Sequence, residues 1–189
     1  MIWRLFGRGD AASRTIETLH RRINDASRQP GLYTMLGVPD TVEGRFECLS
    51  LHVILVLRRL ERLPAPADDV SQDLVNSVFL QLDSSLRELG VGDFGVPKRM
   101  KKLGAAFYGR AETYGSALAK DDAVALCEAL ARNVLGTEDS GAAAGLGDYV
   151  IDSAAQLEAM DLDGLLGEGP RFADPRRIAE ARAAATGAP

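Results

Sequence analysis

Residues 42–63 read VEGRFECLSLHVILVLRRLERL and are bounded by Pro39-Asp40 on one side and by Pro64 and Pro66 on the other. Val42, Phe46, Leu49, Val53, Val56, Leu60 and Leu63 recur at spacings of three and four and make one helical stripe. Leu51, Ile54, Leu55 and Leu57 carry the apolar surface nearly all the way round. A helix with so little polar surface must be wrapped by other elements, so it belongs at the centre of a bundle. Asp40, with Glu43 three residues on, has capping-box spacing, and the prolines end the helix. The most apolar run, 48–57, contains Ser50 and His52 and stops at Arg58-Arg59, well short of the ~20 residues a membrane span needs.

The remaining segments supply the wrapping. Residues 13–28 place Ile16, Leu19, Ile23 and Ala26 on one face and stop before Pro30-Gly31. Asp69 and Gln72 repeat the capping-box spacing ahead of a helix to residue 89, with Leu74, Val78, Leu82 and Leu86 inward. After Gly90, Gly92 and Gly95, a helix carrying Pro97 in its first turn repeats Val96, Met100, Leu103, Phe107, Ala111, Tyr114 and Leu118 as a narrow core stripe. A fifth helix covers 122–135. No period-two pattern occurs, and aromatic residues make up only 6% of a chain rich in Ala, Leu and Arg, which favours helices over a sandwich or barrel. The expected fold is all-α: a compact bundle of about five core helices in a domain spanning 1–135.

Charge is segregated along the chain. Residues 1–62 sum to +3, 63–120 to 0 and 121–189 to −8, within a net charge of −5. Residues 136–147, GTEDSGAAAGLG, lack an apolar stripe and read as a Gly/Ala-rich linker to an acidic helical segment, 148–189, with helices at 148–166 and 175–184. A net negative chain does not announce nucleic-acid binding, so an anionic partner requires a local patch. One exists at the start of the fourth helix. Turning 100° per residue places Lys98 and Lys102 opposite the core stripe and Arg99, Lys101 and Arg110 on its flanks, five cations displayed outward, with Tyr108 also off the stripe. Cations in a first turn oppose the macrodipole by ~0.3–1 kcal/mol each, so folding alone would favour Asp or Glu there. Lys98, Arg99, Lys101, Lys102, Tyr108 and Arg110 are therefore the candidate partner- or anion-binding residues, suited to an RNA phosphate, a lipid headgroup or an acidic protein surface. The plainer reading is a solvated cluster with Asp93 nearby; another has the acidic C-terminal segment folding over it.

Little else converges on chemistry. Cys48 and Cys127 lie far apart in the sequence with no second thiol or histidine beside either, so neither a disulfide framework nor a metal clip is indicated, and a reducing compartment fits. His20 and His52 sit on different helices outside any metal-binding spacing, and His52, within the most apolar run, reads as a satisfied core histidine. Gly90-Val91-Gly92 follows a helix rather than a strand and is no dinucleotide fingerprint; GxSxG and P-loop patterns are absent. Asp83 and Arg87 have the spacing of a helix-surface pair. No catalytic residue, metal ligand or cofactor is expected. The first residues carry only the short apolar group Ile2, Trp3, Leu5 and Phe6, too brief for a signal-peptide core.

Two longer patterns, LGVPDTVEGRFE (36–47) and RELGVGDFGVPKRMKK (87–102), together with ALARN at 129–133, resemble the ubiquinol-cytochrome c chaperone family. The resemblance is strongest over 30–135. It implies an α-helical, non-enzymatic assembly factor for the ubiquinol-cytochrome c reductase. The client it implies is newly made or unassembled cytochrome b, or another inner-membrane protein; an apolar groove between helices and the basic patch are the expected means of holding it. Mitochondrial members of the family work with a small partner near the ribosomal tunnel exit, so the ribosome and an anionic lipid surface are further candidate partners, while DNA is not. Without a recognisable presequence, the expected setting is a bacterial cytoplasm, peripheral to the inner membrane. Rival readings are a lipid- or quinone-binding protein and a ribosome- or RNA-binding module.

Overall fold

The computed structural model describes residues 10–88, 90 and 92–186; Ile2, Trp3, Leu5, Phe6, Leu89 and Val91 lie outside them. In chain order the elements are α1 (Asp10–Ser27), α2 (Pro30–Thr34), α3 (Val42–Leu60), α4 (Ala67–Glu88), α5 (Val96–Ala119) and α6 (Ala123–Leu130). A π-helical turn (Ala131–Leu135), a 3-10 turn (Ser140–Ala143), α7 (Ala144–Glu158), α8 (Leu162–Gly167) and α9 (Pro175–Thr186) follow, and no strand occurs among the described residues.

The apolar helix is the axis of the bundle. α3 buries Cys48, Ser50, Leu51, His52, Val53, Ile54, Leu55, Val56 and Leu60, and α1, α4, α5, α7 and the π-helical turn pack around it. Its cap is one residue later than the sequence spacing predicts. Thr41 has extended backbone angles and its hydroxyl accepts the Gly44 N–H at 3.0 Å, whereas Asp40 takes the Arg45 guanidinium at 2.7 Å. Likewise α4 begins at Ala67, so Asp69 falls inside its first turn, where a carboxylate complements the macrodipole, rather than at the cap.

The larger correction concerns residues 136–147, which are packed structure and not a free linker. Ala143, Leu146 and Gly147 are buried, and the small residues let α7 press onto its neighbours. A Cβ at Gly147 would stand 2.6 Å from the Cys127 sulfur of α6, and one at Gly145 would meet Leu36 at 3.3 Å. Composition alone reads such a run as flexible, but small side chains also permit close helix approach. Consequently α7, α8 and the chain that follows them join the core of the preceding helices: Leu146, Tyr149, Val150, Leu157, Leu165 and Ala173 lie in one cluster with Leu19, Leu51 and Leu130.

Two polar devices tie this segment down. His52 is fully buried; its Nδ1–H donates to the Cys48 carbonyl at 2.7 Å, which leaves Nε2 to accept the Tyr149 hydroxyl at 2.7 Å, with the Phe172 ring edge-on. On the surface, Glu158 at the end of α7 receives Arg59 at 3.1 Å and Arg62 at 3.0 Å, while Arg59 Nε also donates to the Met160 carbonyl. The acidic segment therefore pairs with the basic end of α3. It makes no ion pair with Lys98, Arg99, Lys101 or Lys102 among the described residues. From α1, Arg22 donates to the Leu166 and Gly167 carbonyls and so closes the C-terminus of α8.

Two expectations follow from this packing. A Cβ at Gly44 would fall 2.0 Å from the Pro39 carbonyl oxygen, while at Gly109 it meets nothing within 4 Å. In urea denaturation Gly44→Ala should therefore lose about 2–3 kcal/mol, and Gly109→Ala in mid-α5 should gain about 0.5–1 kcal/mol. Burial lowers the His52 pKa from 6.5 to about 4, so as pH falls through this window the unfolded chain takes up the proton first and stability is lost. Denaturation between pH 7.5 and 5 should show stability level above 6.5 and then falling, with His52 approaching a tenfold loss in folding constant per pH unit. His52→Gln should remove about one proton from that slope and leave the part due to His20, whose pKa burial also lowers.

Candidate functional site

α5 carries the candidate residues because Pro97 starts it and Gly90, at φ +80°, turns the chain back from α4. Its core stripe is as the spacing requires: Phe107 and Tyr114 are buried, with Phe107 edge-on to Phe79 of α4 at 5.7 Å between ring centroids. Lys98, Arg99, Lys101 and Lys102 are all exposed and none forms an ion pair among the described residues. The neighbouring carboxylate, Asp93, is instead taken by Arg87 at 2.6 Å, which also holds Asp83 at 2.7 Å in the expected helix-surface pair.

Arg110 stands apart from this cluster. It turns inward to α3, where Nη2 donates to Glu47 Oε1 at 2.6 Å and Nε lies 2.5 Å from Oε2, and the two side chains retain only 17% and 12% exposure. Burial pushes the Glu47 carboxyl up and the guanidinium pulls it back. Four cations, rather than the five expected, face outward, because the flank of α5 bearing Arg110 is covered by α3.

Tyr108 is 60% exposed and lies at the edge of a cleft between the end of α3 and the first half of α4. Leu57, Leu60, Leu63 and Val75 line this cleft together with the polar Glu61, Asp68, Ser71 and Gln72, and its volume is about 430 Å³. The Ser71 hydroxyl is buried without a hydrogen-bond partner among the described residues. Seven residues, about two turns and ~10 Å along the axis, separate Lys101 from Tyr108, so these two look out from the same side of α5, while Arg99 points to the opposite side. Sequence spacing singled out Tyr108 but not the cleft, because Leu57 and Leu63 belong to the apolar sweep of α3 and only the chain turn at Pro64–Pro66 uncovers them. Phe94, completely exposed just ahead of α5, also escaped sequence reading, since a single aromatic between glycines carries no periodic signal.

The buried titratable groups are structural. Cys48 is enclosed, its thiol pushed up to about 12 by burial, and its sulfur lies 4.0 Å from His52 Nδ1, a neighbour that i, i+4 helical spacing brings alongside and that metal-binding spacings alone pass over. No group of three His, Cys, Asp or Glu residues suited to a metal ion occurs among the described residues. No helix among them is long and apolar enough to cross a membrane.

Residues 34–172 match the family described as Ubiquinol-cytochrome C chaperone, a match that runs past residue 135 through α7 and α8. The sequence resemblance therefore ended too early, at a boundary the packing of α7 removes. The chain is also similar to a solved structure, the Cbp3 homolog from Brucella abortus, at 39% identity and a TM-score of 0.81, covering 94% of this chain and 99% of that one. Comparison with curated proteins finds no match.

The different surroundings of Arg110 and Lys101 give a direct test. Arg110→Ala leaves Glu47 buried and unpaired and should cost about 3 kcal/mol in chemical denaturation, whereas Lys101→Ala should fall within about 0.5 kcal/mol of the parent. Joint replacement of Arg110 and Glu47 by Met and Leu should recover most of that loss.

Proposed function

Because the chain belongs to the ubiquinol-cytochrome c chaperone family, we propose that it holds newly made or unassembled cytochrome b while the ubiquinol-cytochrome c reductase is put together. The observation that carries this reading is the cleft beside Tyr108, walled by Leu57, Leu63 and Val75, with the exposed Lys101 on the same side of α5 two turns away. A membrane protein outside its bilayer exposes apolar helices, and an amphipathic groove receives such a helix through a few anchoring side chains. A cleft of about 430 Å³ accommodates one or two anchors and leaves most of the client outside. Leu57, Leu63 and Val75 supply the apolar wall, and Tyr108 offers a flat ring with a hydroxyl at its edge. Ser71 brings a buried hydroxyl that a client polar atom can satisfy. Lys101, two turns away on the same side, then meets an anionic group beside the captured segment and fixes its register rather than its affinity.

Holding requires no bond to be made or broken, so the reading needs no nucleophile, acid or base from the chain. The buried His52, Cys48 and Tyr149 accordingly serve the core.

Tyr108→Asp places a charge at the cleft edge without touching the core. Pull-downs from detergent-solubilised cells should then recover cytochrome b about tenfold less well, at an unchanged melting temperature. Deleting the gene should lower assembled reductase and cytochrome b while sparing other respiratory complexes. Normal reductase in the deletion strain would reject the proposal.

A further inference from the structure

The outer halves of α4 and α5, with the turn between them, form a helical hairpin whose end is built unlike the rest of the molecule. Among the described residues from 79 to 106, only Val96 is fully buried, and it lies outside the main core cluster. Phe94 extends from the turn with its whole side chain exposed, between Gly92 and Gly95. Directly behind it come Lys98, Arg99, Lys101 and Lys102, all exposed and unpaired among the described residues. Residues 79–106 sum to +2 in a chain of −5. Their acidic groups are Asp83 and Asp93, held by Arg87, and Glu88, which faces Ser84.

We propose that this hairpin end docks on an anionic lipid bilayer, with Phe94 entering the headgroup layer and Lys98, Arg99, Lys101 and Lys102 meeting the lipid phosphates. The proposal deepens the anion-binding half of the function above and rests on that half alone, not on the identity of the client. Three features point to a bilayer. At 100° per residue the four cations spread over about 160° around the end of α5, a distribution that meets a plane end-on rather than tracking one line along a strand or groove. The aromatic lies beyond the cations toward the tip, so it reaches deepest when they stand at phosphate level. Phe94 is also the single exposed aromatic at the tip, whereas single-stranded RNA is held by successive aromatic platforms. Each cation near an anionic surface strengthens partitioning about fivefold.

The test is sedimentation of the full chain with vesicles of phosphatidylcholine and phosphatidylglycerol at a 70:30 ratio, against pure phosphatidylcholine, at low and high salt. The parent should bind only the anionic vesicles and release at high salt. The triple change Lys98→Gln, Lys101→Gln and Lys102→Gln should weaken binding about a hundredfold. Phe94→Ser should weaken it about tenfold and keep the salt dependence. Lys120→Gln, an exposed change at the far end of α5, should have no effect. Equal binding to both vesicle types, binding unaltered by the tip changes, or cation-dependent binding to poly(U) RNA without vesicle binding would each overturn the proposal. Tyr108→Asp separates the two ideas, because it should reduce cytochrome b recovery about tenfold and leave vesicle binding intact.

Discussion

The hydrogen bond between His52 and Tyr149 is the contact on which the arrangement of the bundle turns. A helix as apolar as α3 can sit only at the centre, and there its one imidazole is far from water. A buried polar ring is tolerated when both nitrogens are satisfied. The helix satisfies one itself, through the Cys48 carbonyl, and cannot satisfy the other. Tyr149 does, so α7 must lie against α3 in one register. Apolar packing permits many placements of α7; the imidazole selects one. The same choice brings Ser153 of α7 to the Ala173 N–H and seats the chain that precedes α9.

Charge acts on the same pair of helices from outside. The basic end of α3 and the acidic end of α7 meet at Glu158, which three arginines approach within 4.0 Å. Exposed pairs contribute little individually, and the shared carboxylate gives orientation more than stability. Much of the segregation along the sequence therefore resolves into an internal match. The exposed cations at the head of α5 take no part in that match, and they stand out because four of them fall within five residues.

The parts of the structure legible in the sequence are those governed by periodicity. The α3 sweep, the Phe107–Tyr114 stripe and the exposed position of Tyr108 follow from spacing alone, because helical phase decides which side chains can face a neighbour. The errors fall where local composition has two physical outcomes. Gly145 and Gly147 look like hinge residues, yet here they let helices approach, and nothing nearby in the sequence distinguishes the two. Arg110 sits at the edge of the outward arc; whether it belongs to the surface or to Glu47 depends on where α3 lies, a tertiary fact. Asp40 and Thr41 are adjacent potential caps, and backbone angles choose between them. The cleft beside Tyr108 needs three helices placed at once, so no single segment announces it.

Residues 79–106 reach the principal core through the half-buried Phe79 and Leu82, while Val96, the one fully buried side chain among the described residues of this stretch, lies outside it. Recognition and folding are consequently written in different residues of the same two helices. The inner halves of α4 and α5, with Leu74, Val78, Phe107 and Tyr114, answer to the bundle, and the outer halves answer chiefly to what they touch. Changes at the exposed positions of the outer halves should therefore alter recognition before they alter stability.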